Sequence, residues 1–280
     1  MILNLHSLRV NTWGRLFTSA LNHALTNSKS IHINMLNKLV RLAGISPGDT
    51  VVEIGAGRGD LTRCIVSHAH AVYAIELDKQ FKEVLGSIEK AFSNVNIIFD
   101  NVLNVPFRPF VKGNRIKVMG NIPYNITGDI LFKLLSDMEV VESAYLTMQK
   151  EVGERLVSMP CCRAYGALSV IFQTYASVKI LMKLKPSLFV PPPEVESVFV
   201  SIIFKRSVSR PDQELIDFIK ACFRYKRKYL KRTLDELLGR DRVQLLYEYM
   251  KFGPTIRAEE LPPEAYERMH AFLKGGMDGN

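Results

Sequence analysis

The chain has 280 residues, 47% hydrophobic and 23% charged, the composition of a globular protein with one large domain or one large and one small. No uninterrupted apolar run approaches the roughly 18–20 residues that span a bilayer, which excludes an integral helical membrane protein. Lys and Arg number 37 against 28 Asp and Glu, a net charge of +9, which points to a polyanionic partner.

The first acidic residue is Asp49, and the stretch before it carries Arg9, Arg15, Lys29, Lys38 and Arg41. Such a start reads either as an organelle transit peptide or as a basic arm on a cytoplasmic RNA-binding protein; the low density of Arg favours the arm. Helical spacing of apolar residues predicts a helix over Met35–Ala43, followed by the turn chemistry of Ser46-Pro47-Gly48-Asp49. Thr50–Ile54 is a short β-branched run, as in a strand buried on both faces. After the glycine-rich residues 55–59, Asp60–Ala69 returns to helical spacing. Strands over Ala71–Leu77, Val95–Phe99, Arg115–Gly120 and Ser143–Gln149 alternate with helices over Lys79–Phe92, Thr127–Leu135 and Val152–Ser158. This alternation predicts a parallel, doubly wound α/β sheet. Ala167–Tyr175 is a further helix. Val178–Leu184 and Val198–Phe204 flank a Pro-rich bend and are expected to close the sheet as an antiparallel edge pair. From Ser207 onward only helices are predicted: Asp212–Phe223, Leu230–Leu238, Val243–Met250 and Pro263–Leu273. The expected organisation is an arm (1–34), an α/β catalytic domain (35–206) and a small all-helical domain (207–280).

Residues Gly55-Ala56-Gly57-Arg58-Gly59 leave a strand and open a helix. Glycines there let backbone approach a ligand closely. The pattern G-x-G-x-G is neither the dinucleotide fingerprint nor a P-loop. The second strand ends at Glu76, about 20 positions beyond the loop, the geometry of a carboxylate that accepts two hydrogen bonds from a ribose diol. Together they suggest a nucleoside-bearing cofactor without a pyrophosphate, which S-adenosylmethionine fits better than NAD. At the carboxyl end of the fourth strand stands Asn121-Ile122-Pro123-Tyr124. The exocyclic amine of adenine is a poor nucleophile because its lone pair is delocalised into the ring. Acceptors for both N–H hydrogens, the Asn121 side-chain oxygen and the Ile122 carbonyl, tilt that nitrogen toward sp³. Pro123 stiffens the turn, and Tyr124 can stack on the base.

Through these motifs the chain resembles the small-subunit ribosomal RNA adenine dimethyltransferases, the KsgA family. The matching segments are VVEIGAGRGDLT (51–62), AIELD (74–78), GNIPYNIT (120–127), MQKEVGERLV (148–157), YGALSV (165–170) and FVPPPEVESVFV (189–200). The wording around MQKE and PPPEVES is closer to archaeal and eukaryotic members. The resemblance implies a Rossmann-like S-adenosylmethionine-dependent methyltransferase sheet with a small helical C-terminal domain. It implies transfer of methyl groups to N6 of two adjacent adenosines in the 3′-terminal hairpin of small-subunit ribosomal RNA, in the immature subunit. It puts Glu53, Gly55, Gly57, Glu76, Asn101 and Asn121 at the cofactor. It puts Asn121, Ile122, Pro123 and Tyr124 around the target base, with Phe189 stacking on the other side. Two departures stand out. Asn101 takes the place of the Asp that usually contacts the cofactor adenine, and the G-Q-H-F-L segment is not recognisable near Thr26–Asn34, where Asn27 is the candidate for its Gln.

Between Lys205 and Arg232 the sequence holds ten Lys/Arg and three Asp/Glu, a local balance of +7. Arg224, Lys226, Arg227, Lys228, Lys231 and Arg232 are the expected RNA-binding cations. Tyr225 and Tyr229 among them are four apart and would share a face on a helix. No metal is expected, because no His or Cys spacing suits one. Four cysteines without disulfide-framework or CxxC spacing suit a reducing compartment, and a cytoplasmic, monomeric enzyme is expected. Two further readings remain: a non-catalytic RNA-binding assembly factor with the same fold, and a methyltransferase acting on large-subunit RNA.

Overall fold

The computed structural model describes residues 33–189, 193–208, 210–225 and 228–275. At its centre lies a sheet of β1 (Thr50–Ile54), β2 (Ala71–Glu76), β3 (Val95–Phe99), β4 (Ile116–Asn121), β5 (Val141–Gln149), β6 (Ala176–Leu184) and β7 (Ser197–Phe204). Their spatial order is β3-β2-β1-β4-β5-β7-β6. β1 to β5 run parallel, and β7 enters antiparallel between β5 and β6. The chain order reverses between β1 and β4, the point at which open α/β sheets bind ligands beyond their carboxyl ends.

Alternation along the strands feeds two cores. Val51, Val72, Ala74 and Phe199 point to one face and pack with α1 (residues 33–42), α2 (Asp60–Val66) and α3 (Lys82–Ala91). Val52, Val118, Val198 and Val200 point to the other and pack with α4 (Thr127–Ser136), α5 (Lys150–Val157) and α6 (Ala167–Tyr175). All five residues of β1 are therefore buried, which is why its apolar residues Val51, Val52 and Ile54 fall on both faces; its polar residues, Thr50 and Glu53, are buried with them.

The chain then forms α7 (Gln213–Cys222), α8 (Leu230–Leu238), α9 (Arg240–Met250) and α10 (Pro263–Gly275). Leu215, Ile219, Leu234, Leu246 and Tyr266 join the same buried cluster as Val200, so one apolar core runs from the sheet into these helices. Hydrogen bonds tie the parts, among them the Tyr165 hydroxyl to Leu261 O at 2.8 Å, Asp212 N–H to the Tyr175 hydroxyl at 2.9 Å and Cys161 N–H to Glu259 O at 2.8 Å.

The helices expected over 60–69, 79–92, 152–158, 243–250 and 263–273 differ from their predicted spans by two or three residues at one end. The one expected over 60–69 ends at Val66, because residues 67–69 turn to deliver His70 N–H to Asp49 O at 2.8 Å and start β2. The one expected over 79–92 begins as a 3₁₀ turn, Lys79–Phe81, since the Asp78 side chain accepts from Gln80 N–H at 2.9 Å and caps the chain there. Among the described residues no helix is long and apolar enough to cross a membrane, and Cys64, Cys161, Cys162 and Cys222 are all free thiols.

Candidate functional site

The loop after β1 has a backbone that side chains oppose: φ is +74° at Gly55, +53° at Gly57 and +77° at Gly59, a region only glycine enters freely. The loop is bound to β2. Gly55 and Ala56 both donate to Ile75 O, at 2.9 and 3.2 Å. Glu76 completes the attachment, its Oε2 accepting from Gly57 N–H at 2.7 Å and its Oε1 from Asp78 N–H at 2.8 Å.

Glu53, near the end of β1, is buried. Thr62 of α2 donates to its Oε2 at 2.6 Å, while Oε1 is buried with no partner. Loss of water is the main force on this carboxyl; with the charges of Glu76 and Asp60 nearby, its pKa is pushed up to about 8. A buried carboxyl with one oxygen unsatisfied beside an open crevice is suited to a polar ligand group.

At the rim of β4, Gly120 is required by contact rather than by φ: a Cβ there would lie 2.6 Å from Ile54 O of β1. The strand ends at Asn121, which is exposed. Ile122 donates its N–H to Thr147 O at 3.0 Å, pinning the chain to β5. Among the described residues no donor reaches the Ile122 carbonyl. Pro123, at φ −58° and ψ 131°, turns the chain into the 3₁₀ turn Tyr124–Ile126, and the Thr127 hydroxyl is within 3.2 Å of both Pro123 O and Tyr124 O. The phenol of Tyr124 shares a 2.7 Å hydrogen bond with the Ser197 hydroxyl. A Cβ on Gly55 would stand 3.7 Å from Asn121 O, so the glycine loop and the Asn corner meet.

These elements enclose a crevice of about 520 Å³ whose lining includes Glu53, Gly55, Gly57, Asn121, Tyr124 and Phe189. Ile122 and Pro123 also line it. Eight residues singled out in the sequence thus come together. Two do not line it. Glu76 lies behind the loop, and the Asn101 Oδ1 accepts from Leu103 N–H at 3.0 Å. Asn27, Lys226 and Arg227 lie outside the described residues. Sequence reasoning missed Met35, Leu36 and Leu39 of α1, together with Phe81 and Thr147, which form apolar and polar wall; the amphipathic pattern of α1 was the available signal.

The basic stretch differs from its expected form. Tyr225 and Tyr229 do not share a helix face: Lys228 N–H donates to Tyr225 O at 2.8 Å in a turn, and Tyr229 is extended at φ −60°, ψ 138°, just before α8. Both rings are exposed, with the Lys228 ammonium 5.1 Å from the Tyr225 centroid. Arg224 and Lys228 are exposed. Lys231 and Arg232 pair one turn on with Asp235 at 3.1 Å and Glu236 at 3.5 Å. Elsewhere, the ligand atoms of Asp212, Glu214 and His270 lie within 4.8 Å of one another. The Lys274 ammonium holds both carboxylates, at 3.0 and 2.8 Å, so their charge is already answered.

Comparison with known proteins gives this geometry a context. The family model described as "Ribosomal RNA adenine dimethylase" matches residues 22–274. A "Ribosomal RNA small subunit methyltransferase A" of Prosthecochloris aestuarii is 38% identical over 204 residues, 72% of this chain and 77% of the relative. The protein of that name from Clostridium botulinum is 31% identical over 253 residues, 89% of this chain and 92% of the relative. Among solved structures, a dimethyladenosine transferase from Plasmodium falciparum superposes with a TM-score of 0.75 at 25% identity, over 87% of this chain and 96% of that one. The 23S rRNA methyltransferase ErmE shares the fold, with a TM-score of 0.67 at 21% identity, over 86% and 97% of the two chains.

Proposed function

We infer the activity from family and crevice together: the chain belongs to the ribosomal RNA adenine dimethylase family. It is a methyltransferase that uses S-adenosylmethionine to dimethylate adenine N6 in small-subunit ribosomal RNA. Its targets are two adjacent adenosines in the 3′-terminal hairpin, met in the immature subunit. One observation carries the reading: the Asn121–Tyr124 corner stands against the glycine loop, with Gly55 and Asn121 in reach of one another, so an amine at the corner faces whatever the loop holds.

The residues fit the cofactor. The glycines leave the loop backbone bare, and the orphaned Glu53 oxygen awaits a donor. Bound there, S-adenosylmethionine supplies an electrophilic methyl group. Glu76 and Asn101 already hold backbone N–H groups, but each carbonyl or carboxylate oxygen has a second lone pair, for the ribose and the adenine amine respectively. Asn121 Oδ1 and the Ile122 carbonyl accept the two N6 hydrogens of the target, Pro123 holds them in place, and Tyr124 and Phe189 face the base from two sides. No strong base is needed, because the amine becomes acidic only as it gains the methyl group.

The chain divides by role into the arm (1–34), the methyltransferase unit (35–206) and the helical RNA-binding unit (207–280). It acts as a cytoplasmic monomer, and its free thiols suit a reducing compartment. Labelled S-adenosylmethionine and immature small subunits test the activity. Dimethyladenosine in the 3′ hairpin is the expected product. RNA binding without methyl transfer would instead make the protein an assembly factor, and methylation of large-subunit RNA alone would move the substrate. Asn121→Ala should lower turnover by more than tenfold while cofactor binding changes little, since a donor-accepting pair acts mainly as charge develops; equal losses in both would contradict its role.

A further inference from the structure

The family segment FVPPPEVESVFV contains a serine to which the chemistry above gives no part. Ser197 is the first residue of β7 and is fully buried. Its backbone is held from three directions. It stands opposite Gln149, the last residue of β5, and opposite Leu184, the last residue of β6. The preceding carbonyl, of Glu196, accepts from Lys150 N–H at 2.9 Å. The Ser197 hydroxyl therefore projects from a fixed point of the sheet, and the partner it meets is the Tyr124 phenol at 2.7 Å.

Tyr124 needs such an anchor. It sits in a three-residue 3₁₀ turn outside the sheet, and its backbone restraints come from Thr127. None of these fixes the plane of the ring. A base that is to be held with its amine at Asn121 needs a stacking surface of defined tilt, because an ångström of misplacement at a reacting atom is expensive in rate. Phe189, which lines the same crevice, ends the 3₁₀ turn Pro186–Leu188 that leaves β6. The junction of β5, β6 and β7 thus lies next to both aromatic residues.

We propose that Ser197 is a positioning residue for methyl transfer: its hydroxyl pins the Tyr124 ring to the sheet and so sets the gap with Phe189 in which a planar nucleobase is held. This inference rests on the methyltransferase reading of the same crevice, and it gives the Val-x-Ser of the Pro-rich segment a physical reason.

Three substitutions separate hydroxyl from bulk. Ser197→Thr keeps the hydroxyl, Ser197→Val has the same shape without it and suits a strand, and Tyr124→Phe removes the other half of the bond. Loss of one hydrogen bond at this strength predicts a fall in kcat on immature subunits of about 3- to 10-fold for Ser197→Val and for Tyr124→Phe. Cofactor affinity stays unchanged, Ser197→Thr is near wild type, and the double variant is no worse than the worse single one. A double variant that multiplies the two losses would overturn the proposal. A second readout does not depend on activity. With 3-fluorotyrosine incorporated, the ¹⁹F resonance absent from Tyr124→Phe identifies Tyr124, and Ser197→Val should shift it while Ser197→Thr does not. An unmoved resonance in Ser197→Val would also overturn the proposal. If the wild-type protein transfers no methyl group, the enzymatic reading fails, and the ¹⁹F comparison alone decides whether Ser197 positions the ring.

Discussion

A carboxyl stripped of water keeps its proton, and Glu53 is such a group. Burial first, and the neighbouring charges of Glu76 and Asp60 second, raise its pKa from 4.5 to about 8, against the pull of the Thr62 hydroxyl. Between those values the folded protein holds a proton that the unfolded chain releases. The stabilisation attached to this group is therefore fully present below about 4.5 and is lost as pH rises through about 8, with a slope of at most about 1.4 kcal/mol per pH unit. Glu53→Gln, which is neutral at every pH, should flatten that slope. Thermal melts of the cofactor-free protein from pH 5 to pH 9 measure it. A wild-type Tm that follows the Gln variant at every pH would show that Glu53 is ionised throughout, with a partner beyond Thr62. Affinity for S-adenosylmethionine adds a second reading of the same proton: a donor meeting the free Oε1 favours the carboxylate, so binding should release a proton below pH 8.

Elements meet in this fold where side chains are absent. β4 approaches β1 so closely at Gly120 that a methyl group would lie 2.6 Å from the Ile54 carbonyl. Backbone cannot rotate away as a side chain can, so Gly120→Ala must push the strands apart, at about 1–3 kcal/mol. Asn121 moves with its strand, so methyl transfer should fall further than the loss of folded protein accounts for. Chemical denaturation beside a specific-activity assay checks both, and wild-type values would mean that the strands are freer than their contact implies. The limits of Thr50–Ile54, Val95–Phe99 and the helix Leu230–Leu238 could be read from sequence to the residue, and the other strands to within one or two residues, because β-branched runs are bounded by turn residues whose chemistry is local. Helix limits were less legible: the ends of α2 and α3 depend on His70 reaching Asp49 and on an Asp78 cap. The crevice was legible wherever one loop or corner carries its residues, as with Gly55, Gly57 and Asn121–Tyr124. Contacts across the chain were not. Ser197 lies 73 residues from Tyr124, and no spacing rule encodes that pairing. Lys231 and Arg232 look free in a run without acids until α8 brings Asp235 and Glu236 beneath them.

Over the whole molecule, the catalytic crevice and the basic stretch are joined by one core, since Leu215, Leu234 and Tyr266 pack in the same cluster as the sheet residues Val198 and Val200. On the proposed reading, RNA held at the basic stretch would be presented to the crevice across that shared core. Charge is not shared evenly along that stretch. Lys231 and Arg232 spend part of their field on their own helix, whereas among the described residues no acid pairs with Arg224 or Lys228. Each cation that meets a phosphate releases a counterion and adds about 0.7–0.9 to the steepness of log Kobs against log salt. Replacing Lys226, Arg227 and Lys228 together with Ala should flatten that slope by about 2 to 3. Replacing Lys231 and Arg232 should flatten it by less per residue, because Asp235 and Glu236 already neutralise part of their charge. Titration of immature small subunits across 50–300 mM salt, on the order used for such slopes, distinguishes the two sets. An unchanged slope in the triple variant would remove the stretch from the RNA interface. Equal slopes per residue in both sets would mean that RNA displaces the α8 carboxylates, so that the ion pairs open when the subunit docks.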